Sequence, residues 1–146
     1  MSMMQNKELV RAYAEGVFDK GDLDAIDRLV APNFVNHNVL PGQDPGPSGE
    51  KQRARMFRTA FPDLQVTAED MIAEGDWVSA RVMGRGTHRG EFLGIPPTGR
   101  PVSFQSMVMF RIANGRLAER WGTHDFWGAP QQMGVTCELQ AAPAGR

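Results

Sequence analysis

Apolar residues recur every three to four positions near the start of the chain and at strand spacing after residue 64, and this change of period divides the sequence into a helical part and a strand part. In KELVRAYAEGVFDKG, the residues Leu9, Val10, Tyr13, Ala14, Val17 and Phe18 fall on one helical face, and Gly21 stands where a C-terminal stop belongs. DLDAIDRLVAP repeats the pattern with Leu23, Ile26, Leu29 and Val30, and Pro32 forces an extended backbone on the residue before it. NFVNHNVL reads as a short strand and PGQDPGPSG as a loop. EKQRARMFRTAF reads as a helix, with Ser48 as its N-cap and Pro62 just past its end.

Two hairpins follow. LQVTAEDMIAE and DWVSARVMGRGTH join at Glu74-Gly75-Asp76, and PVSFQSMVMFRI and RLAERWGTHD join at Ala113-Asn114-Gly115. Asn-Gly between apolar runs is the strongest short hairpin signal. Helices first and antiparallel strands afterwards predict an α+β fold, with the helices packed on one face of a curved sheet. At 146 residues the chain fits one domain. That domain is expected over residues 1–136, with a small, Pro-containing tail at 137–146 that frays.

A two-residue turn at Asn114-Gly115 sets Ile112 opposite Leu117, Phe110 opposite Glu119, Val108 opposite Trp121, Ser106 opposite Thr123 and Phe104 opposite Asp125, all on one face. Phe104, Val108, Phe110, Leu117 and Trp121 make that face apolar, and it carries Ser106, Thr123 and Asp125 with it. Asp125 is then expected at the rim of an apolar cavity, where withdrawal from water favours the neutral carboxyl and suits it to acid–base chemistry. The competing reading makes Asp125 the N-cap of a short helix in FWGAPQQMG. Pattern alone leaves both open.

Sixteen basic residues against seventeen acidic ones, without a local cluster, give no field for nucleic acid or an anionic membrane. The single Cys137 excludes an intramolecular disulfide, and the opening residues lack the apolar run of a signal peptide, so a cytoplasmic location is expected. Three histidines and one cysteine show no paired metal spacing, so no metal or cofactor is expected. Gly84 and Gly86 before His88 only imitate a dinucleotide fingerprint and instead ease a bent strand, and His88 is a candidate for the pocket mouth. His124 and Asp125 are adjacent, so on a strand they point to opposite faces and form no dyad. The other face of the sheet carries Trp77, Met107 and Met109, too apolar to stay in water as one patch, which predicts a homo-oligomer.

THRGEFLGIPPTGRPVSF, followed by FRIANGRLAERWGTHDFWGAPQQMG, resembles the SnoaL-like polyketide cyclases, or ester cyclases, of the nuclear-transport-factor-like superfamily. The likeness runs from about Leu9 to Gly134. The resemblance implies a cone-shaped α+β barrel wrapped by N-terminal helices around an apolar pocket, usually as a homodimer or homotetramer. It also implies an intramolecular aldol condensation without metal or cofactor, with Asp125 at the position of the general acid/base. Asn36 matches a pocket asparagine, and the neighbouring His37 is common in the wider family. Ser106 and Val108 stand where the polyketide cyclases place a glutamine and a histidine.

The expected function is therefore a cofactor-free cyclase acting on a bulky, mostly apolar, polyketide-like carbonyl compound, with Asp125, Asn36 and His37 as catalytic candidates. Trp121, Phe104, Ser106, Val108, Phe110, Thr123, Phe18 and His88 are the residues expected to contact the substrate. The alternatives are a small-molecule binding protein without catalysis and a hydrolase or hydroxylase-like relative using the same pocket.

Overall fold

Ser2 begins the first helix with a reciprocal cap. Its hydroxyl accepts from the Gln5 backbone N–H, and the Gln5 side chain accepts from the Ser2 N–H. Helix α1 spans Met3–Tyr13 and then widens into a π-helical segment over Ala14–Asp19, where the Lys20 N–H reaches back to the Glu15 carbonyl at 3.0 Å. Such single π turns recur at functional sites, and this one buries Ala14, Val17 and Phe18. The computed structural model describes residues 2–125, 127–136 and 141 of the chain. Cys137 and all but one residue of the expected tail lie outside them.

Helix α2 is short, Ala25–Leu29, and strand β1, Val30–Asn36, follows without a loop. The strand starts earlier than the pattern predicts, because Pro32 holds its predecessor extended. Helix α3 spans Pro47–Ala60 and is entered at Gly46. Ser48 is not its cap but part of its first turn, since Pro47, with a fixed φ and no N–H to satisfy, suits the opening position. Strands β2 (Gln65–Glu74), β3 (Trp77–Thr87), β4 (Pro101–Ala113) and β5 (Arg116–His124) follow, then helix α4, Gly128–Gln132.

The sheet order is β1-β5-β4-β3-β2, with β1 parallel to β5 and the other pairs antiparallel. It is an open, mixed, five-stranded α+β arrangement. Val10, Tyr13, Val17 and Ile26 pack on Val78, Ala80, Phe110, Ile112 and Leu117 of the inner face. Each large side chain withdrawn from water contributes about 1.5–3 kcal/mol. A second cluster gathers Phe61, Leu64, Phe92, Val102 and Met133.

Asn114 and Gly115 both adopt positive φ, 51° and 73°, the two-residue turn that the Asn-Gly pair predicts. The expected register holds for one pair only. Ile112 faces Leu117, but Arg111 faces Glu119, so Ala118 is an extra residue bulged out of the ladder. Beyond it Phe110 pairs with Arg120, Val108 with Gly122 and Ser106 with His124, while Trp121 and Thr123 pair with Met109 and Met107 on the outer face. One residue of slip exchanges the two faces of β5.

Candidate active site

The inner face of β3, β4 and β5, with α1, the π-helical segment and α3 above it, encloses a mostly apolar pocket of about 760 Å³, its open mouth included. Phe18, Phe57, Phe104, Val108 and Phe110 supply apolar wall, and Ser106, Arg53, Arg120, His124 and Asp125 supply the polar groups.

The polar floor is a buried network joining α1, α3, β1 and β5. Glu50 is fully buried and accepts from the Tyr13 hydroxyl, from Arg53 Nη2 at 3.0 Å, from Asn36 Nδ2 at 3.1 Å and from Gln43 Nε2 at 3.0 Å. Burial alone would raise its pKa, but Arg53, Arg120 and these donors prevail and bring it to about 2. Burial and the adjacent Glu50 push the Tyr13 phenol up. Arg53 also lies over the Phe18 ring, 4.5 Å from its centre. Arg120 donates from Nη1 to Asn36 Oδ1 at 3.4 Å, and its burial beside Arg53 lowers it to about 10. Gly122 makes room for it, since a Cβ there would stand 2.7 Å from Nη2. Two guanidiniums therefore act on one carboxylate, and among the described residues the Nε atoms of both are buried without a hydrogen-bond partner.

At the mouth lies Asp125, two residues before the N-cap of α4, which is Trp127. Its Oδ1 accepts from the backbone N–H of Gly128 at 2.8 Å and of Trp127 at 3.2 Å, which ties down the turn into α4. Among the described residues Oδ2 accepts no hydrogen bond, and the residue borders the pocket. Asp125 is an exposed residue, not the buried rim carboxyl that the expected register implied.

Phe18, Phe104, Ser106, Val108, Phe110 and Asp125 all lie on the pocket. The other expected residues do not. Trp121 and Thr123 are turned outward by the Ala118 bulge, and Trp121 stacks on His37 at 4.5 Å and meets Trp77 at 5.5 Å. His37 lies outside the pocket, 3.4 Å from Glu119. Asn36 is buried beneath the floor, its amide given to Glu50 and its oxygen to Arg120 and the Asn38 N–H. His88 is buried against Phe61 and held by Thr98, away from the pocket mouth. The residues that sequence reasoning missed are Glu50, Arg53, Arg120 and His124. Among the described residues no three His, Cys, Asp or Glu side chains converge as metal ligands.

A helix-backed open sheet thus carries an apolar pocket with a basic floor and a carboxylate at its mouth. The model of the SnoaL-like polyketide cyclase family matches residues 7–133, and the chain belongs to that family. It is 31% identical over 119 residues to the nogalonic acid methyl ester cyclase of Streptomyces nogalater, covering 80% of this chain and 89% of that protein. It is 26% identical over 130 residues to the aklanonic acid methyl ester cyclase DauD of Streptomyces sp. (strain C5), covering 87% and 80%. Among solved structures, TsrD from Streptomyces laurentii superposes with a TM-score of 0.85 at 27% identity, over 93% of this chain and 99% of that one. IdmH from Streptomyces antibioticus gives 0.77 at 34% identity, over 90% and 99%.

Proposed function

We propose that the chain is a ring-closing enzyme acting on a bulky, mostly apolar carbonyl compound, of the polyketide methyl ester class that the names of its relatives record. Asp125 is the general acid/base. Its carboxylate takes a proton from a carbon flanked by carbonyls, and the resulting enolate carbon bonds to a second carbonyl carbon of the same molecule. That carbonyl's electron pair moves to its oxygen, and the proton on Asp125 passes to the new alkoxide. The product is an isomer of the substrate, with nothing added or lost. Apolar walls around the reacting carbons keep competing water away.

The observation that carries this reading is the division of labour within one carboxylate: Oδ1 is fixed by two backbone donors, Oδ2 accepts no hydrogen bond among the described residues, and Asp125 lines the pocket. A base held in one orientation and open on one side can reach a bound carbon acid. The test is turnover of nogalonic or aklanonic acid methyl ester by the wild type and by Asp125→Asn. The amide keeps the oxygen that ties the turn but relays no proton, so the rate falls by about 100- to 10,000-fold with melting temperature nearly unchanged. Equal turnover by the variant refutes the role. Binding of both esters without any turnover by the wild type would instead favour a carrier.

A further inference from the structure

Three polar side chains follow one another across the inner face of the sheet. Arg120, 2% exposed, brings Nη2 to 3.4 Å from His124 Nε2, and the other ring nitrogen, Nδ1, lies 2.6 Å from Ser106 Oγ. All three line the pocket. A guanidinium has donors only, so Nε2 must accept, and a neutral imidazole that accepts at Nε2 carries its proton on Nδ1. Nδ1–H then donates to Ser106 Oγ. The serine keeps its own proton for an acceptor in the cavity. Burial, with Arg120 and Arg53 close by, lowers the ring's pKa to about 3, so the neutral form this direction requires is the resident one.

We propose that Arg120, His124 and Ser106 form a one-way donor chain ending in an oxyanion subsite, where the Ser106 hydroxyl binds the enolate, alkoxide or phenolate oxygen of a polyketide-like ligand. The proposal rests on the reading of the pocket given above and adds to it the group that receives the negative charge. Ser106 touches the ligand, whereas His124 and Arg120 are positioning residues. The floor favours such a ligand, because Arg53 and Arg120 both act on a single carboxylate, Glu50, and among the described residues their Nε donors are buried without partners. Between apolar walls, preorganised donors stabilise an added negative charge far more than water-exposed ones do.

The test is the ionisation of alizarin, a hydroxyanthraquinone whose visible absorption reports its phenolate. Bound to the wild type, its acid dissociation constant should rise by about tenfold or more, the worth of a hydrogen bond to a charged group. Ser106→Ala should lose most of that rise and Ser106→Thr, which keeps the hydroxyl, should retain it. Ring nitrogen NMR of histidine-labelled protein, assigned with His124→Gln, should show the neutral Nδ1–H form of His124 at pH 6. Failure of alizarin to bind, equal ionisation in wild type and Ser106→Ala, or an imidazolium or Nε2–H ring at pH 6 would each overturn the proposal. Alizarin undergoes no ring closure, so its colour shift stands apart from turnover. Asp125→Asn should keep the shift even as it loses the rate.

Discussion

Glu50→Gln is the sharpest perturbation of the buried floor. The carboxylate accepts from Tyr13, Arg53, Asn36 and Gln43, and glutamine replaces one of its oxygens by an amide that can only donate toward groups that already donate. Arg53 and Arg120 then remain buried without a counter-charge. Breaking a buried pair from one side costs about 3–5 kcal/mol. The lowered pKa of Glu50 gives a second magnitude for the same interaction. The pKa of Glu50 lies below its ordinary 4.5, at about 2, so the folded state holds the charged form and the stabilisation is complete above 4.5. It is lost as pH falls from 4.5 through 2, and the displacement corresponds to about 3 kcal/mol. Chemical denaturation at pH 7 should therefore show Glu50→Gln less stable by about 3–5 kcal/mol, which for a chain of this size lowers the melting temperature by roughly 6–20 °C. Between pH 4.5 and 2 the wild type should lose stability by a component the variant lacks. A loss below about 1 kcal/mol at pH 7, or parallel acid profiles, would refute the buried-pair reasoning.

Gly128→Ala places a methyl 2.5 Å from Asp125 Oδ2 and must displace it. Turnover should drop by about 100-fold with little change in melting temperature, since a misplacement near 1 Å has that cost, and an unchanged rate would free Oδ2 from its assigned position. The outer face exposes Trp77, Met107, Met109 and Ile72 and is expected to join two copies. Light scattering should give twice the chain mass for the wild type and a monomer for Met109→Glu, and a wild-type monomer at micromolar concentration counts against the interface. Extended dialysis against EDTA should leave turnover unchanged, and a loss restored by one divalent ion would show a metal requirement.

The elements were legible because their signals are local. Asn114-Gly115 announces its turn, Pro62 the end of α3, and strand spacing the sheet. What lies beyond Ala118 was not legible, because a bulge adds one residue that no propensity marks. The warning was Glu119, which an unbulged ladder sets inward against Phe110 and which in fact pairs outward with Arg111 at 2.6 Å. The Asn36 prediction failed differently. Its strand was foreseen, but the side chains that absorb its amide come from two other elements, α3 and β5. Glu50 and Arg53 did carry a signal, since they continue the helical face of Ala54 and Phe57. The histidine that the resemblance places at position 108 is absent, and the slip of β5 brings His124 into the same cavity from the neighbouring strand.

The bulge at Ala118 means that β5 encodes two alternative pocket floors interleaved in one strand. In the present phase Arg120, Gly122 and His124 look inward. Drawing Ala118 into the ladder opposite Arg111 would present Glu119, Trp121 and Thr123 instead, an acidic and aromatic surface in place of a basic one. Whether this one residue is bulged out or paired therefore decides between a site for developing anions and one for cations or flat rings. Descent within such a fold can change chemistry by shifting phase rather than by replacing side chains. Relatives compared position by position across β5 would then show mismatched residues where the geometry is shared.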